Sequence, residues 1–62
     1  MFKKYRELRK YTQEQLAELV NKDVRTIQRI ENEEVIPKLE TFKILVKVLK
    51  INDNDILEYI KK

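Results

Sequence analysis

The chain contains no cysteine, histidine, serine, glycine or tryptophan. Each absence removes a class of chemistry. Without cysteine, histidine and serine there is no thiolate, no imidazole base and no seryl nucleophile. Zinc loses its two best ligands. Without glycine the backbone loops that wrap phosphate groups cannot be built. An enzyme is therefore not expected, and neither is a cofactor or a metal. The lack of cysteine fits a reducing compartment. No apolar run approaches the roughly 18 residues of a membrane-spanning helix. The start, Met1-Phe2-Lys3-Lys4-Tyr5-Arg6, is charged and has no signal-peptide core. A cytoplasmic protein with no membrane partner is expected.

What is present is charge and aliphatic side chains. Sixty-two residues make a single domain, 1–62. A chain of this size buries only about 60% of its unfolded surface, yet manages without disulfides or metals. The net charge of +3 is uneven. Residues 1–11 carry five basic and one acidic side chain, residues 12–37 three basic and six acidic, and residues 38–62 six basic and four acidic. A basic protein attracts polyanions, although +3 is a weak excess.

No segment alternates cleanly enough for a strand, whereas helical periodicity recurs, so the chain is expected to be all-α with five short helices in a compact orthogonal bundle. The first runs from about Phe2 to Lys10, with Phe2, Tyr5 and Arg9 on one face. Thr12-Gln13-Glu14-Gln15 fits a capping box that starts the second, and Tyr11 with Leu16 fits a hydrophobic staple. Leu16, Ala17, Leu19 and Val20 are expected to face inward, and Asn21 ends the helix as a residue that tolerates a left-handed conformation. Asp23 is an N-cap for a third helix, Val24 to Glu31, with Ile27 and Ile30 as its buried stripe. A loop ending at Pro37 leads to a fourth helix, Leu39 to Leu49, with Leu39, Phe42, Leu45, Val46 and Leu49 on one side. Asn52 or Asp53 caps a fifth, with Ile56, Leu57 and Ile60 inward. Ile44 falls off the core stripe, and Tyr59 is placed at the surface with it. The acids of Asn52-Asp53-Asn54-Asp55 lack the glycine and the distant glutamate of a calcium loop, and read as helix capping.

Two short helices joined by a turn of three or four residues, here spanning Thr12 to Glu31, form a helix-turn-helix pattern. With Ile27 and Ile30 buried, Val24, Arg25, Gln28 and Arg29 point outward. Arginine pairs bidentately with guanine, glutamine with adenine, and valine touches a thymine methyl. A solvated helix face is the bland reading of Arg25 and Arg29, and taken alone it is the commoner fate of such charges. Inside this motif base contact is favoured.

The stretch from Arg6 through Thr12-Gln13-Glu14-Gln15-Leu16-Ala17, Thr26-Ile27-Gln28-Arg29-Ile30-Glu31-Asn32 and Pro37-Lys38-Leu39-Glu40-Thr41-Phe42 resembles the phage-repressor (lambda repressor/Cro, XRE) helix-turn-helix family. The resemblance covers nearly the whole chain. It implies a five-helix domain of bacterial or phage origin that regulates transcription, with its third helix in the major groove. It implies a homodimer on an inverted-repeat operator of double-stranded DNA, with the dimer surface on the fifth helix and the loop before the fourth. By position, Val24, Arg25, Gln28 and Arg29 match base-reading residues. Gln13, Lys22, Thr26 and Lys38 match phosphate contacts. Arg6 and Glu31 match a partly buried ion pair with a structural role.

The sequence departs from that family in places. Lys10, Asn21, Glu33 and Lys50 stand where the family favours glycine. Lysine and glutamate tolerate positive φ less well than asparagine, so those turns are expected to be strained or reshaped. Lys22 replaces a small apolar residue. Asp23, Glu33 and Glu34 place negative charge near the expected DNA surface and weaken non-specific attraction. The acids at 31–34, Glu31, Glu33 and Glu34, with the apolar Ile44, also suit a second reading, a protein-interaction module of antitoxin type with weak or no DNA binding.

Overall fold

The computed structural model describes residues 1–61. Five helices follow one another, α1 Phe2–Leu8, α2 Gln13–Leu19, α3 Val24–Glu31, α4 Leu39–Leu49 and α5 Asp53–Lys61, and no strand occurs among the described residues. The start of α2 is fixed locally. The Thr12 hydroxyl accepts from the Gln15 amide at 3.0 Å, and the Gln15 side chain accepts from the Thr12 amide at 2.9 Å, the reciprocal bonds of a capping box. At α5 the cap is Asn52, whose Oδ1 accepts from the Asp55 amide at 2.8 Å. Asp23 occupies the N-cap position of α3, but its side chain makes no capping bond. Its carbonyl alone accepts, from Thr26 at 3.0 Å and Ile27 at 3.4 Å.

The four interior helix ends share one device. Lys10, Asn21, Glu33 and Lys50 all adopt left-handed backbone, with φ of 63°, 58°, 61° and 54°. After each, an amide reaches back five residues: Tyr11 to Arg6, Lys22 to Ala17, Glu34 to Arg29 and Ile51 to Val46, at 2.8–3.1 Å. This is the Schellman closure, which satisfies helix-end carbonyls and usually rests on glycine. Here three lysine or glutamate residues hold it, each at a steric cost of about 1–2 kcal/mol. The turns are thus strained and not reshaped. The first of them also ends α1 at Leu8, two residues earlier than periodicity indicates.

The core gathers Phe2 and Tyr5 from α1, Leu16, Ala17 and Val20 from α2, Ile27 and Ile30 from α3, Leu45 and Leu49 from α4, and Ile51. Leu16, Val20, Ile27, Leu45 and Leu49 are fully enclosed, each contributing roughly 1.5–3 kcal/mol of transfer free energy. Phe2, Phe42 and Tyr59 form an aromatic knot joining α1, α4 and α5. Phe2 meets the other rings edge-on, and Phe42 stacks on Tyr59 with centroids 5.6 Å apart. Tyr59 is therefore half-buried, and its expected surface position is corrected.

Four apolar side chains expected inward are exposed: Leu19, Leu39, Leu57 and Ile60. Helix geometry supplies the reason. At about 100° per residue, Leu19 lies roughly 110° from the centre of the Leu16–Ala17–Val20 arc. Leu39 is similarly displaced from the Thr41–Leu45–Leu49 stripe, and Leu57 lies nearly opposite the side of α5 carrying Asp55, Ile56 and Tyr59. Each of these helices has two apolar arcs, and only one packs.

Candidate nucleic-acid interface

Helix α3 is held against the core by Ile27 and Ile30. That anchoring leaves Arg25, Gln28 and Arg29 exposed on the other side. Val24 is half-buried, with part of its side chain packed against the core, so it offers solvent less than a fully outward residue. Arg29 approaches Glu34 at 3.9 Å, both side chains about half exposed (50% and 56%). A pair so long and so solvated contributes little and leaves the guanidinium available.

A chain of polar contacts runs from the scaffold to this face. The Arg6 Nε donates to Glu31 Oε2 at 2.6 Å and its Nη2 to Oε1 at 3.1 Å, a bidentate pair with side chains only 11% and 2% exposed. Arg6 Nη1 also donates to the Tyr11 carbonyl at 2.9 Å, so one guanidinium ties α1, the start of α2 and the end of α3. The hydrogen bond and negative charge of Glu31 raise the Arg6 pKa above its ordinary value, outweighing desolvation. Glu31 Oε1 accepts in addition from Gln13 Nε2 at 3.0 Å, and Gln13 Oε1 accepts from Gln28 Nε2 at 3.4 Å. The amide of Gln28 is thereby oriented by a residue that is itself fixed by a buried carboxylate.

The structure brings Arg6, Glu31, Gln13 and Gln28 into that one network. Lys22 and Thr26 sit together elsewhere, in a shallow depression at the α2–α3 turn that also contains Glu18 and Asp23. Those two acids oppose phosphate there. Lys38 is exposed at the N-cap of α4 and shares no hydrogen bond with either group.

Two further linkages escape sequence reasoning. The Tyr5 hydroxyl donates to the Asp55 carboxylate and accepts from the Asn52 amide at 3.4 Å, latching α5 to α1. The Asp55 bond, followed by burial, raises the Tyr5 pKa. Arg9 donates from Nε to the Leu49 carbonyl at 3.0 Å and from Nη2 to the Lys50 carbonyl at 3.3 Å, capping α4. The only sequence signal for Arg9 is its place on the Phe2–Tyr5 face. Beside the latch, a groove of about 600 Å³ runs between α1, α5 and the loop after α3, lined by Met1, Phe2, Val35, Ile36, Tyr59 and Ile60. Ile36 is 84% exposed and Ile60 65%.

No helix among the described residues is long and apolar enough to cross a membrane. Comparison with curated proteins returned no match, and comparison with solved structures returned none. A family model described as helix-turn-helix matches residues 2–56, which takes in α1 to α4 and the start of α5. With five helices, a buried α3 stripe and a match over most of its length, the chain belongs to the XRE/lambda-repressor-type helix-turn-helix family of DNA-binding transcription regulators.

Proposed function

We propose that the domain is a repressor that reads the major groove of an inverted-repeat operator as a homodimer. The observation that carries this reading is the exposed Arg25–Gln28–Arg29 face above buried Ile27 and Ile30, with Gln28 steadied through Gln13 and Glu31. In this reading Arg25 and Arg29 pair with guanine, Gln28 with adenine, and the accessible part of Val24 meets a thymine methyl. Gln13 and Lys38, with Lys22 and Thr26 in lesser roles, meet phosphates and set register. Copies pair through exposed Ile36, Leu57 and Ile60, which places two recognition helices on half-sites about 34–36 Å apart. Occupying the operator excludes other proteins from it, which suffices for repression.

Selection of bound sequences from random duplexes should return a symmetric site. In anisotropy titrations on that site, Arg29→Ala should weaken binding by about 1–3 kcal/mol and relax preference at one base pair. Uniform loss across all sequences would mark Arg29 as a phosphate contact instead. A second reading, an antitoxin-like module that binds a protein, is favoured by the acidic balance of residues 12–37 and by the open groove, where apolar Ile36 and Ile60 lie with acidic Glu33, Asp55 and Glu58. Salt separates the two: affinity for duplex that falls steeply with salt supports the DNA reader. Absence of duplex binding at low salt supports the module.

A further inference from the structure

The helix-turn-helix half of the molecule is acidic, and its cations lie elsewhere. Residues 12–37 hold three basic against six acidic side chains. On α4, Lys43 and Lys47 fall at positions i and i+4, both exposed, on the side opposite buried Thr41, Leu45 and Leu49, and the exposed left-handed Lys50 follows at the C-cap, position i+7. They form a row about 10 Å long. At its far end the Arg9 bonds to the Leu49 and Lys50 carbonyls fasten the end of α1 to α4 and set Arg9 beside Lys50, with exposed Lys10 next in the chain. Neither ion pair found among the described residues uses any of these five cations. Glu7 and Glu40 are the acids on the same two helices.

Like charges one helical turn apart destabilise the helix that carries them. The Arg9 clamp caps the last carbonyls of α4 and in doing so holds a further cation at the end of the row. A polyanion removes the cost of the repulsion. Lysines are point charges on flexible stems, suited to phosphate and indifferent to base sequence. The row also runs away from Lys38: Lys50 lies roughly 18 Å along the α4 axis from it. A duplex seated on α3 and Lys38 therefore leaves the far end of the row free. An anionic membrane is a poorer occupant, because a helix lying in a bilayer surface needs a broad free apolar face. The main apolar stripe of α4 is enclosed in the core, and of its apolar side chains only Leu39 and Ile44 are left exposed.

We propose that the ridge of Arg9, Lys10, Lys43, Lys47 and Lys50 is a second DNA surface, which holds the phosphate backbone of a duplex without regard to sequence. It is separate from the α3 face and does not depend on that face reading bases. With the α3 face also engaged, as under the proposed function, one copy contacts two duplex segments.

The test removes the reading face first. In an Arg25→Ala/Arg29→Ala background, anisotropy with a random 20-base-pair duplex across salt should retain binding with a log–log slope of about −4 to −5, since each of the five cations neutralises a phosphate and contributes roughly −0.9. Adding Lys43→Gln, Lys47→Gln and Lys50→Asn should weaken binding at least about tenfold and reduce the slope to about −2, the share of the remaining Arg9 and Lys10. The charge-matched control Lys3→Gln, Lys4→Gln and Lys61→Gln should leave most of it. Equal losses in both sets, no loss in the ridge set, or no binding in the background variant would overturn the proposal. So would capture by phosphatidylserine vesicles in place of duplex. In the unaltered chain, amide resonances of residues 9–10 and 43–50 should move on adding the random duplex, and movement confined to α2 and α3 overturns it as well.

Discussion

Helices α3 and α5 are nearly equal in length and opposite in finish. Helix α3 encloses both of its isoleucines and turns a polar face outward. Helix α5 encloses no residue, rests on half-buried Ile56 and Tyr59, and shows solvent Leu57 and Ile60. The first is complete within one chain and presents groups that need a polar partner. The second is incomplete and presents groups that need an apolar one. One small molecule thus separates a polar surface from an apolar one by which arc of each helix it leaves open.

The anchoring of α3 gives the largest expected effect. Glu31→Gln leaves the Arg6 guanidinium enclosed without its counter-charge and should cost about 3–5 kcal/mol in urea unfolding. A cost below about 1 kcal/mol would mean that α3 is held by packing alone. Next, Ile30→Ala should cost about 2–5 kcal/mol at any protein concentration. Leu57→Ala should cost under about 0.5 kcal/mol in dilute solution and more only where copies associate. If Leu57→Ala is as damaging in dilute solution, the contrast between the helices fails.

Alkali should separate them further. The Asp55 hydrogen bond raises the Tyr5 pKa above 10.0, and burial followed by the Glu33 charge raises that of Tyr59. Both groups are thus favoured in their neutral form by folding. Their stabilisation is fully present below pH 10.0, the unfolded value, and is lost as pH rises through the raised folded values. Both tyrosines hold α5, so near-ultraviolet absorbance and backbone resonances should report loosening of α5 while α3 persists. Tyr5→Phe should lower the melting temperature at neutral pH and blunt the alkaline loss. The smallest effects concern the turns. Glu33 ends α3 and Lys50 precedes α5, and glycine at either should stabilise by about 0.5–1 kcal/mol, with less gain at Asn21. Equal gains at both ends would place the asymmetry in packing and not in the backbone.

Much of this is legible in the sequence where the cause is local. The Thr12–Gln15 cap and the Ile27–Ile30 stripe each depend on residues within one turn of one another. Of the four left-handed positions Asn21 is legible from its residue type, whereas Lys10, Glu33 and Lys50 are legible only through resemblance, because nothing in lysine or glutamate announces positive φ. The inward arc of α5 is not legible, since Ile56, Leu57 and Ile60 are apolar alike and periodicity does not say which arc meets a neighbour. The Tyr5–Asp55 latch spans fifty residues and the Arg9 clamp forty, and neither leaves a periodic trace. At the candidate site, the outward set on α3 follows from the buried stripe. The orientation of Gln28 through Gln13 does not, because it depends on how α2 crosses α3.

The left-handed lysine and glutamate turns bear on the lifetime of the protein. A domain of this length typically has roughly 3–9 kcal/mol between folded and unfolded states. Three such residues at about 1–2 kcal/mol each take up a large part of that interval. Proteases remove whichever molecules open, and a bound duplex or partner lowers the open fraction by mass action. Free copies should therefore be degraded sooner than engaged ones, so that abundance follows the number of occupied sites with no dedicated degradation signal.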